Sequence, residues 1–97
     1  MPVNIPLQEE NTMNYIAAFR TRSQTMRLFN LAKNQNISCR VINTPKEAGV
    51  ACGISLSYHR SDHYLIERLC AGGGFDSLIG FYRIEKGYDG RTVVKRV

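Results

Sequence analysis

From residue 13 to residue 84 the spacing of apolar side chains changes period in a fixed order: strand, helix, strand, strand, helix, strand. Few folds accept that order. Met13, Tyr15, Ala17 and Phe19 alternate with Asn14, Ile16, Ala18 and Arg20, the pattern of a first strand with a core face and a semi-apolar second face. The Ser23 hydroxyl can accept an unpaired first-turn amide, so a helix is predicted from there to about residue 34. Its apolar stripe is Met26, Phe29 and Ala32, with Leu28 and Leu31 alongside, and Asn34, Gln35 and Asn36 end it. Residues 37–43 form a second strand, with Cys39 and Val41 on one side and Arg40 and Ile42 on the other; Pro45 stops it.

Ile54, Leu56 and Tyr58 alternate with Ser55 and Ser57 in the cleanest strand pattern of the chain. Ser61 and Asp62 start a second helix whose buried stripe is Leu65, Ile66, Leu69 and Cys70. Gly72, Gly73 and Gly74 close it, since glycine takes the left-handed conformation that helix ends favour. Residues 78–84, apolar on both parities, are a fourth strand, and Gly87-Tyr88-Asp89-Gly90 is a turn that can return the chain along Thr92, Val93 and Val94. Two right-handed helical crossovers joined by a short loop give an α+β, ferredoxin-like βαββαβ sandwich: an antiparallel sheet with two helices on one face, extended by a C-terminal hairpin. Residues 1–12, with two prolines and no periodicity, read as a flexible N-terminal tail. Residues 13–86 are then the ferredoxin-like domain, and 87–97 a C-terminal turn and short strand or tail.

Size and composition narrow the function. A chain of 97 residues has room for one core, and 43% apolar with 22% charged residues is ordinary for a globular protein. No run of about 18 apolar residues exists to span a membrane, and the first residues have neither the basic start nor the apolar block of a signal peptide. Three cysteines at irregular spacing fit neither a disulfide framework nor a paired zinc site, which points to a reducing cytoplasm. The net charge of +5 permits anionic partners, but the basic residues are scattered rather than blocked.

The topology gives Cys52 its interest. In the expected fold, the end of the first strand, the start of the first helix, the start of the third strand and the end of the second helix meet at one rim of the sheet. Cys52, Arg20, Arg22, the amides after Ser23, and Gly72, Gly73 and Gly74 are therefore predicted to gather there. The positive helix N-terminus and two arginines favour a thiolate, and Gly53 permits close approach of backbone or substrate. Cys52 also shares parity with Ile54 and Leu56, so its alternative place is the edge of the core; Cys39 on a strand and Cys70 on a helix stripe are expected in the core.

Other chemistries fit less well. His59 should lie roughly 20 Å from Cys52 at about 3.3 Å per residue, at the opposite rim, so no Cys-His dyad forms. His59 and His63 have only Asp62 beside them, which argues against a metal and for a solvated helix start. The same strand order serves RNA recognition, but the middle strands present Asn14, Ile16, Ala18, Ser55 and Ser57 where stacking aromatics would be needed, so nucleic acid is not expected. Ile16 and Ile42 suggest instead that this face is covered, by the terminal hairpin or by a second copy of the chain in a homodimer.

The run Tyr15-Ile16-Ala17-Ala18-Phe19, the serine-capped helix, Arg40-Val41-Ile42, the Thr44-Pro45-Lys46-Glu47 loop, Cys52-Gly53 and Ile54-Ser55-Leu56 together resemble the selenium/sulfur carrier-like family of small bacterial proteins, over about residues 14–85. The resemblance implies a cytoplasmic carrier or thiol-redox protein rather than a turnover enzyme. The cysteine matching Cys52 would hold sulfur or selenium as a persulfide or its selenium equivalent, with donor and acceptor proteins as partners and no cofactor or metal. Gly49 and Val50 stand where serine-like residues are expected, and the tail and the segment from Gly87 onward have no counterpart. Two alternatives remain at this stage. One is a non-catalytic interaction or small-anion-binding module that dimerises through its sheet face. The other is an acylphosphatase-like hydrolase, for which a glycine-rich phosphate cradle is missing.

Overall fold

A computed structural model describes residues 12–49 and 52–97. The tail expected over residues 1–12 therefore lies, Thr12 apart, outside the described residues, as do Val50 and Ala51 of the loop before Cys52. The elements are β1 (Tyr15–Phe19), α1 (Arg22–Asn34), β2 (Cys39–Asn43), a single 3-10 turn (Lys46–Ala48), β3 (Ile54–Tyr58), a second 3-10 turn (Arg60–Asp62), α2 (His63–Ala71), β4 (Leu78–Lys86) and β5 (Thr92–Arg96). The five strands form one sheet in the order β2-β3-β1-β4-β5, with every neighbouring pair antiparallel. The return strand after Gly90 is thus a full member of the sheet, paired with β4 from Tyr82↔Arg96 to Lys86↔Thr92.

Both helices pack on one face. Tyr15, Ala17, Phe19, Cys39, Leu56 and Tyr58 from the strands meet Leu28 and Ala32 of α1, Ile66 and Cys70 of α2, and the connecting Ile37 and Phe75. The phase of α1 differs from expectation. Thr25, Leu28 and Ala32 face the sheet while Met26 is 40% exposed, a rotation of the stripe by about one residue. Its start moves as well: Thr21, not Ser23, is the N-cap residue, and its hydroxyl pairs with Ser77 Oγ at 3.1 Å rather than with the first-turn amides. The end of α1 does follow the sequence. Asn36 takes φ +62°, Ile37 N donates to Ala32 O and Asn36 N to Lys33 O, the paired bonds that satisfy the last carbonyls of a helix. In α2, Ile66 and Cys70 are buried, but Leu65 stands 48% exposed.

The second face of the sheet is buried at its centre within the single chain, while its β2 edge stays partly open at Arg40 and Ile42. Ile16, Ala18 and Ser55 are fully buried and Ser57 nearly so. The Lys46–Ala48 turn reaches across to touch β5, and Ala48 is buried beneath it. Buried hydroxyls need partners. Ser55 Oγ pairs with Thr44 Oγ1 at 2.7 Å, and Ser57 Oγ donates to Met13 O at 2.7 Å. Ile16, expected beneath the terminal hairpin or a second copy of the chain, is fully buried within the single chain. No helix among the described residues is long and apolar enough to cross a membrane.

The rotated α1 stripe is testable. Leu28→Ala, which empties a fully buried position, is expected to cost about 2–5 kcal/mol in urea unfolding. Met26→Ala, at the position the sequence periodicity favoured, should stay within about 0.5 kcal/mol.

Candidate functional site

Cys52 is set at the rim by the ladder of β1 and β3. The paired residues end at Ala18↔Ser55, and one step further Cys52 N donates to Phe19 O at 3.0 Å. The next loop is tied to the same point, since Thr44 N donates to Gly53 O at 3.0 Å. Cys52 is half-buried, and its Sγ donates to Ile54 O at 3.3 Å. That carbonyl also accepts a long hydrogen bond of 3.4 Å from Thr25 Oγ1, so the fully buried threonine of α1 and the thiol share one acceptor.

Arg20 and Arg22 are both exposed and neither enters an ion pair among the described residues. Arg22 reaches the cysteine loop: its Nη1 stands 3.9 Å from where a Cβ on Gly53 would be, ordinary van der Waals contact. Arg20 follows Phe19 directly, and its amide donates to Ser77 O at 2.9 Å. Ser23 is exposed in the first turn of α1 and caps nothing with its side chain.

The glycine run ends α2 as expected, but one of the three is occupied by another group. Gly72 is the C-cap residue, and Gly73 and Gly74 adopt φ +106° and +87°. Arg27 Nη1 donates to Gly74 O at 3.2 Å, and a Cβ at Gly74 would collide with that guanidinium, whose Cζ lies 5.2 Å from the Phe75 ring centre. Gly74 therefore seats Arg27, whereas a Cβ at Gly73 would meet open space.

The clamp that fixes this rim comes from Gln24, Asp76 and Ser77, which sequence patterns did not single out. Gln24 Oε1 accepts from Ser77 N at 2.9 Å and Ser77 Oγ at 2.7 Å, while Gln24 Nε2 donates to Asp76 Oδ1 at 2.7 Å. Polar residues on a helix's first turn were the only available signal, and they ordinarily indicate a solvated start.

The remaining cysteines and histidines serve the interior. Burial pushes the Cys39 thiol up from its ordinary value and that of Cys70 up to about 11. All three cysteines are free. His63 is not a solvated helix start as expected. Its Nδ1 shares a 2.8 Å hydrogen bond with Tyr58 Oη, and its ring lies against Tyr58, Tyr15 and Phe81 at centre distances of 5.9, 5.2 and 5.1 Å. Burial holds the Tyr58 hydroxyl far above the usual phenol range, so it stays protonated in that bond.

A family model described as "Putative Se/S carrier protein-like" matches residues 14–78, from just before β1 to the first residue of β4. The chain belongs to this family. The match contains Cys52, both helices and three of the five strands, and leaves β5 and all but the first residue of β4 outside it. Neither the curated proteins nor the solved structures contain a match to the chain.

Two measurements check this description of the cysteines. Iodoacetamide at pH 8 should modify Cys52 of the folded protein roughly tenfold or more faster than Cys39 or Cys70, by mass mapping, with the three converging in denaturant. Equal rates in the folded protein would contradict the exposures. Because folding raises the Cys70 value above the ordinary 9.0, its neutral burial contributes fully below about pH 9 and is lost as pH rises toward about 11. In Cys70→Ala the fall in unfolding free energy across that window is expected to be shallower, whatever the overall stability.

Proposed function

We propose that Cys52 is a carrier thiol that accepts a sulfur or selenium atom from a donor protein and passes it to an acceptor. The observation that carries this reading is the contrast among the three cysteines. Cys39 and Cys70 are buried in the core, whereas Cys52 is half-buried at a rim, backbone-bonded to Phe19 and beside a loop approached by the guanidinium of Arg22. Family membership supports the class of cargo. The order β2-β3-β1-β4 supports a ferredoxin-like sandwich with β5 added at its edge.

The step needs no outside oxidant. The Cys52 thiolate attacks the terminal sulfur of a donor persulfide; a bond forms between Cys52 Sγ and that sulfur, the donor's sulfur–sulfur bond breaks, and the donor leaves as a thiolate. The proton released by Cys52 balances the one the donor takes up. An acceptor thiolate repeats the exchange on the terminal atom of the Cys52 persulfide. The chain's residues would do two things: Phe19 O and Ile54 O orient Cys52, and Gly53 and Gly73 leave the approach open.

Persulfide-specific labelling of protein purified from cells tests the proposal. The expected result is a species heavier by one sulfur or selenium atom at Cys52, absent in Cys52→Ser and retained in Cys70→Ser. A label on none of the cysteines, or equally on all three, would overturn it.

A further inference from the structure

We propose that the rim around Cys52 docks an acidic segment of the protein that delivers or receives the transferred atom, an inference that rests on the carrier reading. Three exposed cations belong to the segments that backbone bonds and close approach bring to the Cys52-Gly53 corner. Arg20 follows the Phe19 carbonyl that holds Cys52, Arg22 approaches Gly53, and Lys46 stands two residues beyond Thr44, whose amide bonds Gly53. The ion pairs among the described residues lie elsewhere. His63 pairs with Glu67 in α2, and the β4–β5 hairpin holds Arg83 and Lys95 with Glu85 and Arg91 with Asp89. Of the rim's own acids, Asp76 accepts from the neutral Gln24 amide and keeps its charge, and Glu47 enters no ion pair among the described residues, so the three cations exceed the acids by one.

An excess of one sign of charge around a reactive atom raises the rate at which the opposite charge finds it, by factors of about 10 to 1,000. One side of the rim is held in place by the Thr21, Gln24 and Ser77 bonds, which tie the start of α1 to the loop before β4. A basic surface of this kind suits a carboxylate-rich protein segment better than single-stranded nucleic acid, which needs exposed aromatic faces for its bases. The aromatics of this rim, Phe19 and Phe75, are buried. The exposed ones, Tyr64 in the first turn of α2 and Tyr88 at the β4–β5 turn, lie toward the other end of the sheet, where β3 and β4 finish.

The test uses matched peptides, each carrying one activated mixed disulfide flanked by glutamates, by lysines or by neutral residues. In the exchange, Cys52 sulfur joins the peptide sulfur and the activating thiolate leaves, so its release reports the rate. The glutamate peptide should react at least about tenfold faster than the neutral one at low salt. The advantage should vanish near 1 M salt, where the screening length is about 3 Å, and Arg22→Glu combined with Lys46→Glu should transfer it to the lysine peptide. Equal rates for all three peptides, with a small neutral disulfide still reacting at Cys52, would overturn the docking surface alone. A missing persulfide in protein from cells would instead overturn the carrier reading. Protection of Cys52 by a single-stranded oligonucleotide beyond that given by poly-glutamate of equal charge would reassign the rim to nucleic acid. Selective loss of the glutamate advantage in inorganic phosphate, compared with chloride at equal ionic strength, would reassign it to a small anion; either result overturns the proposal.

Discussion

Everything in this protein is referred to β1, a five-residue strand buried on both faces. Such a strand has no water for its amides and carbonyls, so each must be paired by a neighbour. β3 and β4 take the two sides, and the pairing continues one step past the strand at both ends. Ile84 N donates to Asn14 O at one end; at the other, Cys52 N donates to Phe19 O and Arg20 N to Ser77 O. The cysteine is therefore positioned by the same requirement that stabilises the centre of the sheet. A reactive group held by ladder hydrogen bonds is placed more firmly than one on a free loop.

The two ends of the sheet are built differently. At the end opposite Cys52, His63 is packed among Tyr15, Tyr58 and Phe81. There Tyr58 and His63 share an interior hydrogen bond, and Arg83 and Lys95 of the hairpin both pair with Glu85. At the Cys52 end the polar clamp of Gln24 and Ser77 is satisfied within the chain, yet Arg20 and Arg22 enter no ion pair among the described residues. β5 belongs to the first kind of construction and also reaches the second. It lies outside the family match, touches the turn before Cys52, and Arg96 donates to Ile79 O, where the register of β1 and β4 slips by one residue. A guanidinium on that carbonyl satisfies a group that a bulge would leave unpaired.

Much of the fold could be read locally. The alternation of residues 54–58, the Asn36 helix end and the glycine run after α2 all appear as expected, because each is determined by side chains within a few residues. The phase of α1 could not be read so well. Met26 is more apolar than Thr25, yet Thr25 faces the sheet, where its hydroxyl finds the Ile54 carbonyl. A hydrogen-bonded threonine at a tight helix–sheet contact outranks hydropathy, and only the position of β3 reveals it. His63 misled for the same reason: its aromatic neighbours come from β1, β3 and β4, three segments distant in sequence.

The sequence by itself determined the order of elements, the membership of the family and the candidacy of Cys52, since these depend on residue type and spacing along the chain. Tertiary structure decided which of three thiols stays partly open, that Arg22 leans toward Gly53 while Arg27 fills Gly74, and that the turn before Cys52 reaches across the second face of the sheet to touch β5. Those outcomes depend on where segments dozens of residues apart cross, and packing and hydrogen-bond pairing fix such crossings only when the whole sheet is assembled.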